Sequence, residues 1–193
     1  MPSLARTVIP LGIAQTLSWG STYYLPAILA GRMAADIGVS TAFVFGAFSA
    51  ALLVIAALSP IAGRLIDVHG GRRVLAGSNL VLAAGLVLLG NATSPTSLFA
   101  GWLLLGVGMS AGLYEAAFST LAGIYGLEAR RPITGITLIA GFASTVCWPL
   151  SAWMDADIGW RATCYVWAGV QLLIALPLNW SLPQGTQSPH TPS

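Results

Sequence analysis

From Val74 to Tyr114 the chain runs without one charged residue. That is about twice what a single helix needs to cross the hydrocarbon core of a bilayer, ~20 mostly apolar residues. A domain folded in water spreads charge along its whole length to cover its surface. Here 7% of the 193 residues are charged, 56% are hydrophobic, and mean hydropathy is +0.80. Every Lys/Arg charge is an arginine: Arg6, Arg32, Arg64, Arg72, Arg73, Arg130, Arg131 and Arg161. This composition excludes a soluble enzyme, a nucleic-acid binder and a disordered regulator. The net charge is only +2, and no basic stretch is long enough for a nucleic-acid footprint. The chain is expected to be an integral membrane protein, with the lipid bilayer as its first partner.

Reading between the charges gives six candidate spans: Thr7–Gly31, Ser40–Gly63, Val74–Leu89, Ser97–Tyr125, Ile133–Met154 and Ala162–Ser181. The third and fourth share the charge-free run, which Gly90-Asn91-Ala92-Thr93-Ser94-Pro95-Thr96 divides as a turn. With the N-terminus inside, six arginines face the cytoplasm and two, Arg32 and Arg161, face away. That bias sets both termini in the cytoplasm. The expected fold is therefore all-α, a polytopic bundle of six transmembrane helices over residues 1–181. Residues 182–193, rich in Pro, Ser, Thr and Gln, read as a disordered cytoplasmic tail. The first span is too long and too polar for a cleaved signal peptide. Asn91-Ala92-Thr93 fits a glycosylation acceptor on the far side.

A shift of 89 residues lays Gly46 on Gly135, Pro60 on Pro149, Gly70 on Gly159 and Arg72 on Arg161. Three helices separate the copies, so the two Gly-x-Arg loops fall on opposite sides of the membrane. Such a pattern is that of a 3+3 inverted repeat, a plan used by secondary transporters.

The most specific local pattern is Gly63-Arg64-Leu65-Ile66-Asp67-Val68-His69-Gly70-Gly71-Arg72-Arg73-Val74-Leu75. Gly63 permits close approach of helix ends, and Gly70 permits a tight reversal. Asp67 can accept charge-assisted hydrogen bonds from Arg72 or from a neighbouring helix. This loop resembles the signature between helices two and three of the major facilitator superfamily, Gly-x-Leu-x-Asp-basic-x-Gly-basic-basic followed by an apolar residue. Gly63, Leu65, Asp67, Gly70, Arg72 and Leu75 match it, while Val68 and Gly71 depart where a basic residue is common. Gly159-Trp160-Arg161 is similar to a step before helix six of the same superfamily. Tyr125-Gly126-Leu127-Glu128-Ala129-Arg130-Arg131, followed by Gly135 and Gly141, is loosely similar to the entry to helix five in the monocarboxylate-porter branch.

The resemblance implies secondary active transport of a small solute by alternating access, in the cell (inner or plasma) membrane. Its monocarboxylate-porter component points to an organic anion. It also implies that Gly63, Asp67, Gly70, Arg72 and Arg73 form a conformational switch latching one half of a transporter against the other. Family members carry twelve helices in two bundles, and the resemblance covers the N-terminal six. The partner is then a second copy, as a homodimer, or a missing C-terminal six-helix half. The alternative is a truncated, non-transporting half with a structural or regulatory role beside a full-length relative.

Within the spans, Glu115 is the only deep acidic residue. An ionisable group at that depth is expensive unless paired, wetted or protonated, which suits a proton-coupling or solute-binding role. Gln15, Ser18 and Trp19 share one face of the first helix. Gln15, Trp19, Tyr114 and Glu115 are the candidate solute or proton contacts. Trp102 stands where many proton-coupled relatives carry an arginine, four residues before Gly106-Val107-Gly108. Likewise Trp148-Pro149-Leu150-Ser151 replaces the Gly-Pro pattern of exchangers. Gly108-Met109-Ser110-Ala111-Gly112 spells a serine-nucleophile motif, but catalysis there needs a base. The two histidines, His69 and His190, lie in a loop and the tail, so no enzyme is expected. Cys147 and Cys164 lie in apolar stretches without ligand spacing, so neither a metal nor a cofactor is expected.

Overall fold

Ser40 and Ser94 show how local chemistry sets helix starts in this chain. Ser40 Oγ accepts from Phe43 N at 3.1 Å and opens a 29-residue helix. Ser94 and Ser97 form a reciprocal capping box, with Pro95 at the first helical position where its missing N–H costs nothing. The structure, a computed structural model, describes residues 3–184, and every regular element among them is helical. In chain order the helices are α1 (Leu4–Ser21), α2 (Leu25–Ile37), α3 (Thr41–His69), α4 (Gly71–Gly90) and α5 (Pro95–Gly112). They continue with α6 (Tyr114–Tyr125), α7 (Arg130–Ala140), α8 (Ala143–Val170) and α9 (Leu176–Trp180). A π-helical turn, Gln171–Ala175, joins α8 to α9.

Among the described residues, four stretches are long and apolar enough to cross a membrane: Thr41–His69, Gly71–Gly90, Pro95–Glu128 and Arg130–Trp180. Helix α4 takes Arg72 and Arg73 into its first turn and so reaches 20 residues, longer than the span expected from Val74. The expected first span is divided at Thr22–Tyr24. Pro26 lacks the N–H that would bond the Thr22 carbonyl, and the Thr22 hydroxyl donates to the Ser18 carbonyl at 2.6 Å. The expected fourth span breaks at Leu113, between α5 and α6. The expected loop between the fifth and sixth spans is a single joint, Gly159, at φ 81° and ψ 161°.

Gly70 makes the equivalent joint between α3 and α4, at φ 82° and ψ 142°. A Cβ at Gly70 would meet nothing within 4 Å, so the constraint is on the backbone alone. Gly70→Ala is expected to cost about 1–3 kcal/mol, read as a lower thermal unfolding midpoint in detergent.

Two apolar clusters fill the bundle. One gathers Leu25, Met33, Leu82, Leu86, Trp102, Leu105 and Trp167; the other gathers Val8, Leu11, Ile66, Leu75, Leu121, Ile136 and Leu182. Leu182, the first residue of the expected tail, is thus buried, and residues 185–193 lie outside the described residues. Each long path through the bundle passes from one cluster to the other. On α1–α2 the passage falls between Leu11 and Leu25, on α4 between Leu75 and Leu82, and on α5–α6 between Leu113 and Ala116. Buried polar groups concentrate at that level. Helices α4 and α5 are well enclosed, whereas α3 and α7–α8 leave most of their surface uncovered within this chain.

Candidate functional site

The level between the two clusters is built by Gln15. Its Nε2 donates to the Gly112 carbonyl at 2.8 Å, with Gln15 fully buried. In an unbroken helix that carbonyl would bond Ala116 N, so Gln15 ends α5 by taking its acceptor. The break swings Tyr114, the first residue of α6, to the Trp19 ring, centroid to centroid 4.8 Å. The break after α1 sets Tyr23 and Tyr24 at 4.8 Å and 5.9 Å from the same ring. Tyr24 continues to Trp148 on α8 at 6.2 Å, Tyr23 to Phe48 at 5.4 Å, and Tyr114 stacks on Phe118 at 5.2 Å. The result is a wall of aromatic side chains standing on two broken helices. Gln15 Oε1 and Trp19 Nε1 are buried there without a hydrogen-bond partner.

Of the four expected contacts, Gln15, Trp19 and Tyr114 are therefore brought together. Glu115 is exposed on the outer arc of α6. At 100° per residue it shares about 100° of circumference with Phe118, Ser119 and Ala122, with Tyr114 at the margin. Among the described residues Glu115 has no ion-pair partner.

The switch residues lie at the opposite end of the bundle from Arg161. Asp67 and Arg73 are exposed, and a Cβ on Gly63 would meet nothing within 4 Å. The close helix approach expected at Gly63 is therefore not made to another helix among the described residues. Nor is an Asp67–Arg72 pair formed among the described residues. Arg72 instead holds its guanidinium over the ring of Trp180 on α9, 4.9 Å from the centroid, with its Nε buried and unpartnered. Gly71, between Gly70 and Arg72, leaves no room for a Cβ beside Thr120 of α6, so α4 and α6 touch closely here.

A buried polar relay went unread in the sequence. Asn179 Nδ2 donates to Asn79 Oδ1 at 2.8 Å, Asn79 Nδ2 to Gln171 Oε1 at 2.6 Å, and Gln171 Nε2 to Ser21 Oγ at 2.8 Å. All four side chains are at most 1% exposed. The relay ties α9, α4 and the π-helical turn to the last residue of α1, beside the aromatic wall. It also runs from the neighbour of Trp180, which carries Arg72, to the break that carries Tyr23 and Tyr24. An isolated Asn or Gln inside an apolar run was the available signal, because such groups avoid lipid.

At the far end, two ion pairs clasp α2 to α8, Arg32–Asp155 at 3.0 Å and Asp36–Arg161 at 2.8 Å. Arg161 also donates to the carbonyls of Gly90 and Ala92, capping the end of α4, and lies over the Trp160 ring at 4.3 Å. Trp160 Nε1 donates to Asp36 Oδ2 at 3.0 Å. Arg161→Leu is expected to cost about 1–2 kcal/mol in unfolding free energy. Arg161→Lys should recover little of it, since one ammonium cannot serve a carboxylate and two carbonyls together.

Residues 11–192 match the sequence profile described as Major Facilitator Superfamily. The chain is also similar to two uncharacterized MFS-type transporters of Mycobacterium tuberculosis, one from each of two strains. Each is 31% identical over 158 residues, which is 81% of this chain and 22% of the relative. The chain thus spans about a fifth of the length of those curated relatives.

Proposed function

We propose that this chain, which belongs to the major facilitator superfamily, is a six-helix bundle that moves a small solute by alternating access as half of a twelve-helix assembly. Family membership supports a transporter of the integral membrane class. The observation that carries the finer reading is the recurrence of joints at one offset. Leu25 opens α2 and Tyr114 opens α6; Thr41 opens α3 and Arg130 opens α7. Gly70 and Gly159, at φ 82° and 81°, end the long helices that precede α4 and its counterpart. Each pair lies 89 residues apart. In this reading α1–α2 form the first crossing, α3 and α4 the second and third, and α5–α6 the fourth. The 51 residues Arg130–Trp180 make the last two, folded back at Gly159. Because each copy has three crossings, an odd number, the second copy is inverted, with both termini in the cytoplasm, in the plasma membrane.

Helices broken at mid-membrane are where secondary transporters build solute sites, and both broken crossings meet at Trp19 and Tyr114. Gln15, Trp19, Tyr114 and Glu115 are assigned as solute or proton contacts. Gly63, Asp67, Gly70, Arg72 and Arg73 are assigned as the switch, with the open surface at Gly63 and Asp67 awaiting the second bundle. An organic anion is supported by the resemblance at residues 125–131 alone. Arg130 and Arg131 open α7 at the end where Tyr125 bonds Thr7, roughly 12 Å along α1 from Gln15.

The reading is tested by the mass of the purified complex in nanodiscs, followed by uptake of a solute panel in proteoliposomes. A particle with two six-helix bundles and saturable uptake is expected. A particle that takes up nothing, yet copurifies with a twelve-helix relative, supports a regulatory half-transporter instead.

A further inference from the structure

The aromatic wall carries information about the sign of the solute's charge, an inference that rests on reading the wall as a solute site. Trp19 is ringed by Tyr23, Tyr24 and Tyr114 at 4.8–5.9 Å, and Trp148 and Phe118 extend the ring faces on either side. Aromatic faces present negative potential and attract cations. The one full charge on the adjoining arc of α6 is the Glu115 carboxylate, exposed and without an ion-pair partner among the described residues. The unpartnered Gln15 Oε1 adds a further acceptor.

Among the described residues no arginine lies on the stretches that form the wall. Arg6, Arg72, Arg73, Arg130 and Arg131 stand in the first turns of α1, α4 and α7, and Arg64 stands near the end of α3. Arg32 and Arg161 are engaged with Asp155 and Asp36. An anion set against this wall would face a carboxylate and ring faces of the same sign. A cation would find both an ion-pair partner and π faces. We propose that the wall takes a bulky organic cation bearing aromatic rings, its charge set against Glu115 and the faces of Trp19 and Tyr114.

Tetraphenylphosphonium and tetraphenylborate have the same shape and opposite charge, and they separate the alternatives. Equilibrium binding of each is measured on the full chain in nanodiscs, with empty nanodiscs subtracted, for the wild type and for Glu115→Gln, Glu115→Asp and Trp19→Leu. Saturable binding of the phosphonium but not the borate is expected. Glu115→Gln should weaken the phosphonium at least about tenfold, Glu115→Asp should keep most of it, and Trp19→Leu should lose it. Because Glu115 is exposed, the Gln variant should keep the wild-type thermal midpoint. Equal binding of both ions, preference for the borate, or unchanged phosphonium binding in Glu115→Gln overturns the cation assignment. In those cases saturable binding lost in Trp19→Leu still upholds the wall as a solute site. Saturable binding of neither ion overturns both.

Discussion

Asn79→Leu is expected to destabilise the bundle by about 2–4 kcal/mol. Asn79 is fully buried and sits at the centre of the relay, donating to Gln171 and accepting from Asn179. Two hydrogen bonds between membrane helices are themselves modest, about 0.6 kcal/mol each on average and up to about 1.7. The larger part is what remains: Gln171 Oε1 and Asn179 Nδ2 would stay buried without partners, at about 1–3 kcal/mol each. The effect is read from unfolding in mixed micelles. Adding Asn179→Leu should cost less than the two single changes summed, because the second removes a group that the first has orphaned. Ser119→Leu, on the exposed arc of α6, should leave stability nearly unchanged. A wild-type value for Asn79→Leu would mean that the relay contributes nothing to the fold. Since Gln171 ends on Ser21 at the α1 break, Asn79→Leu should also weaken any solute held by Trp19.

Gly20→Ala is expected to be nearly as damaging, about 2–3 kcal/mol. A Cβ at Gly20 would be driven into the Cβ and Sγ of Cys147 on α8. Cys147 is 1% exposed and its thiol faces the Thr16 carbonyl at 3.7 Å, so it has little room to withdraw. Small residues are how membrane helices gain contact without a hydrophobic drive between them. Cys147→Gly in the same chain should recover most of the loss, and Cys147→Ala should not, because the colliding Cβ remains. Recovery by Cys147→Gly would establish the α1–α8 crossing that supports Tyr24 and Trp148. Failure to recover would place the two helices elsewhere.

The elements written locally in the chain were legible from it. The turn after Gly90, the Gly70 joint and the apolar runs each depend on residues within a turn or two of one another, although α5 starts at Pro95 rather than at Ser97. The α1 break was half legible: a proline inside an apolar span kinks or ends a helix, but the placement of this one at Thr22–Tyr24 needs the Ser18 carbonyl as well. The α5 break was not legible, because the group that ends α5 is Gln15, 97 residues away in sequence. The same holds for Arg72, whose partner is Trp180 rather than the nearby Asp67. Charge spacing suggested a short third span because Arg72 and Arg73 were read as loop. Their long side chains let them sit in the first turn of a membrane helix while their heads reach its end. Gln15, Trp19 and Tyr114 are polar and aromatic groups inside apolar spans, and that much is visible in the sequence. Asn79, Gln171 and Asn179 carry the same signal, but that they satisfy one another depends on contacts 92 and 100 residues apart in sequence.

The inverted arrangement of the two three-helix copies is tested most directly by the sides on which their joints emerge. His69 and Ile158 are both exposed, one residue before Gly70 and Gly159. Single cysteines placed there, His69→Cys or Ile158→Cys, in a chain whose buried Cys147 and Cys164 are replaced by alanine, are labelled in sealed membrane vesicles with an impermeant maleimide. Labelling of residue 69 from the cytoplasmic side alone and of residue 158 from the opposite side alone is expected. Labelling of both from one side contradicts the inverted repeat and the six crossings with it.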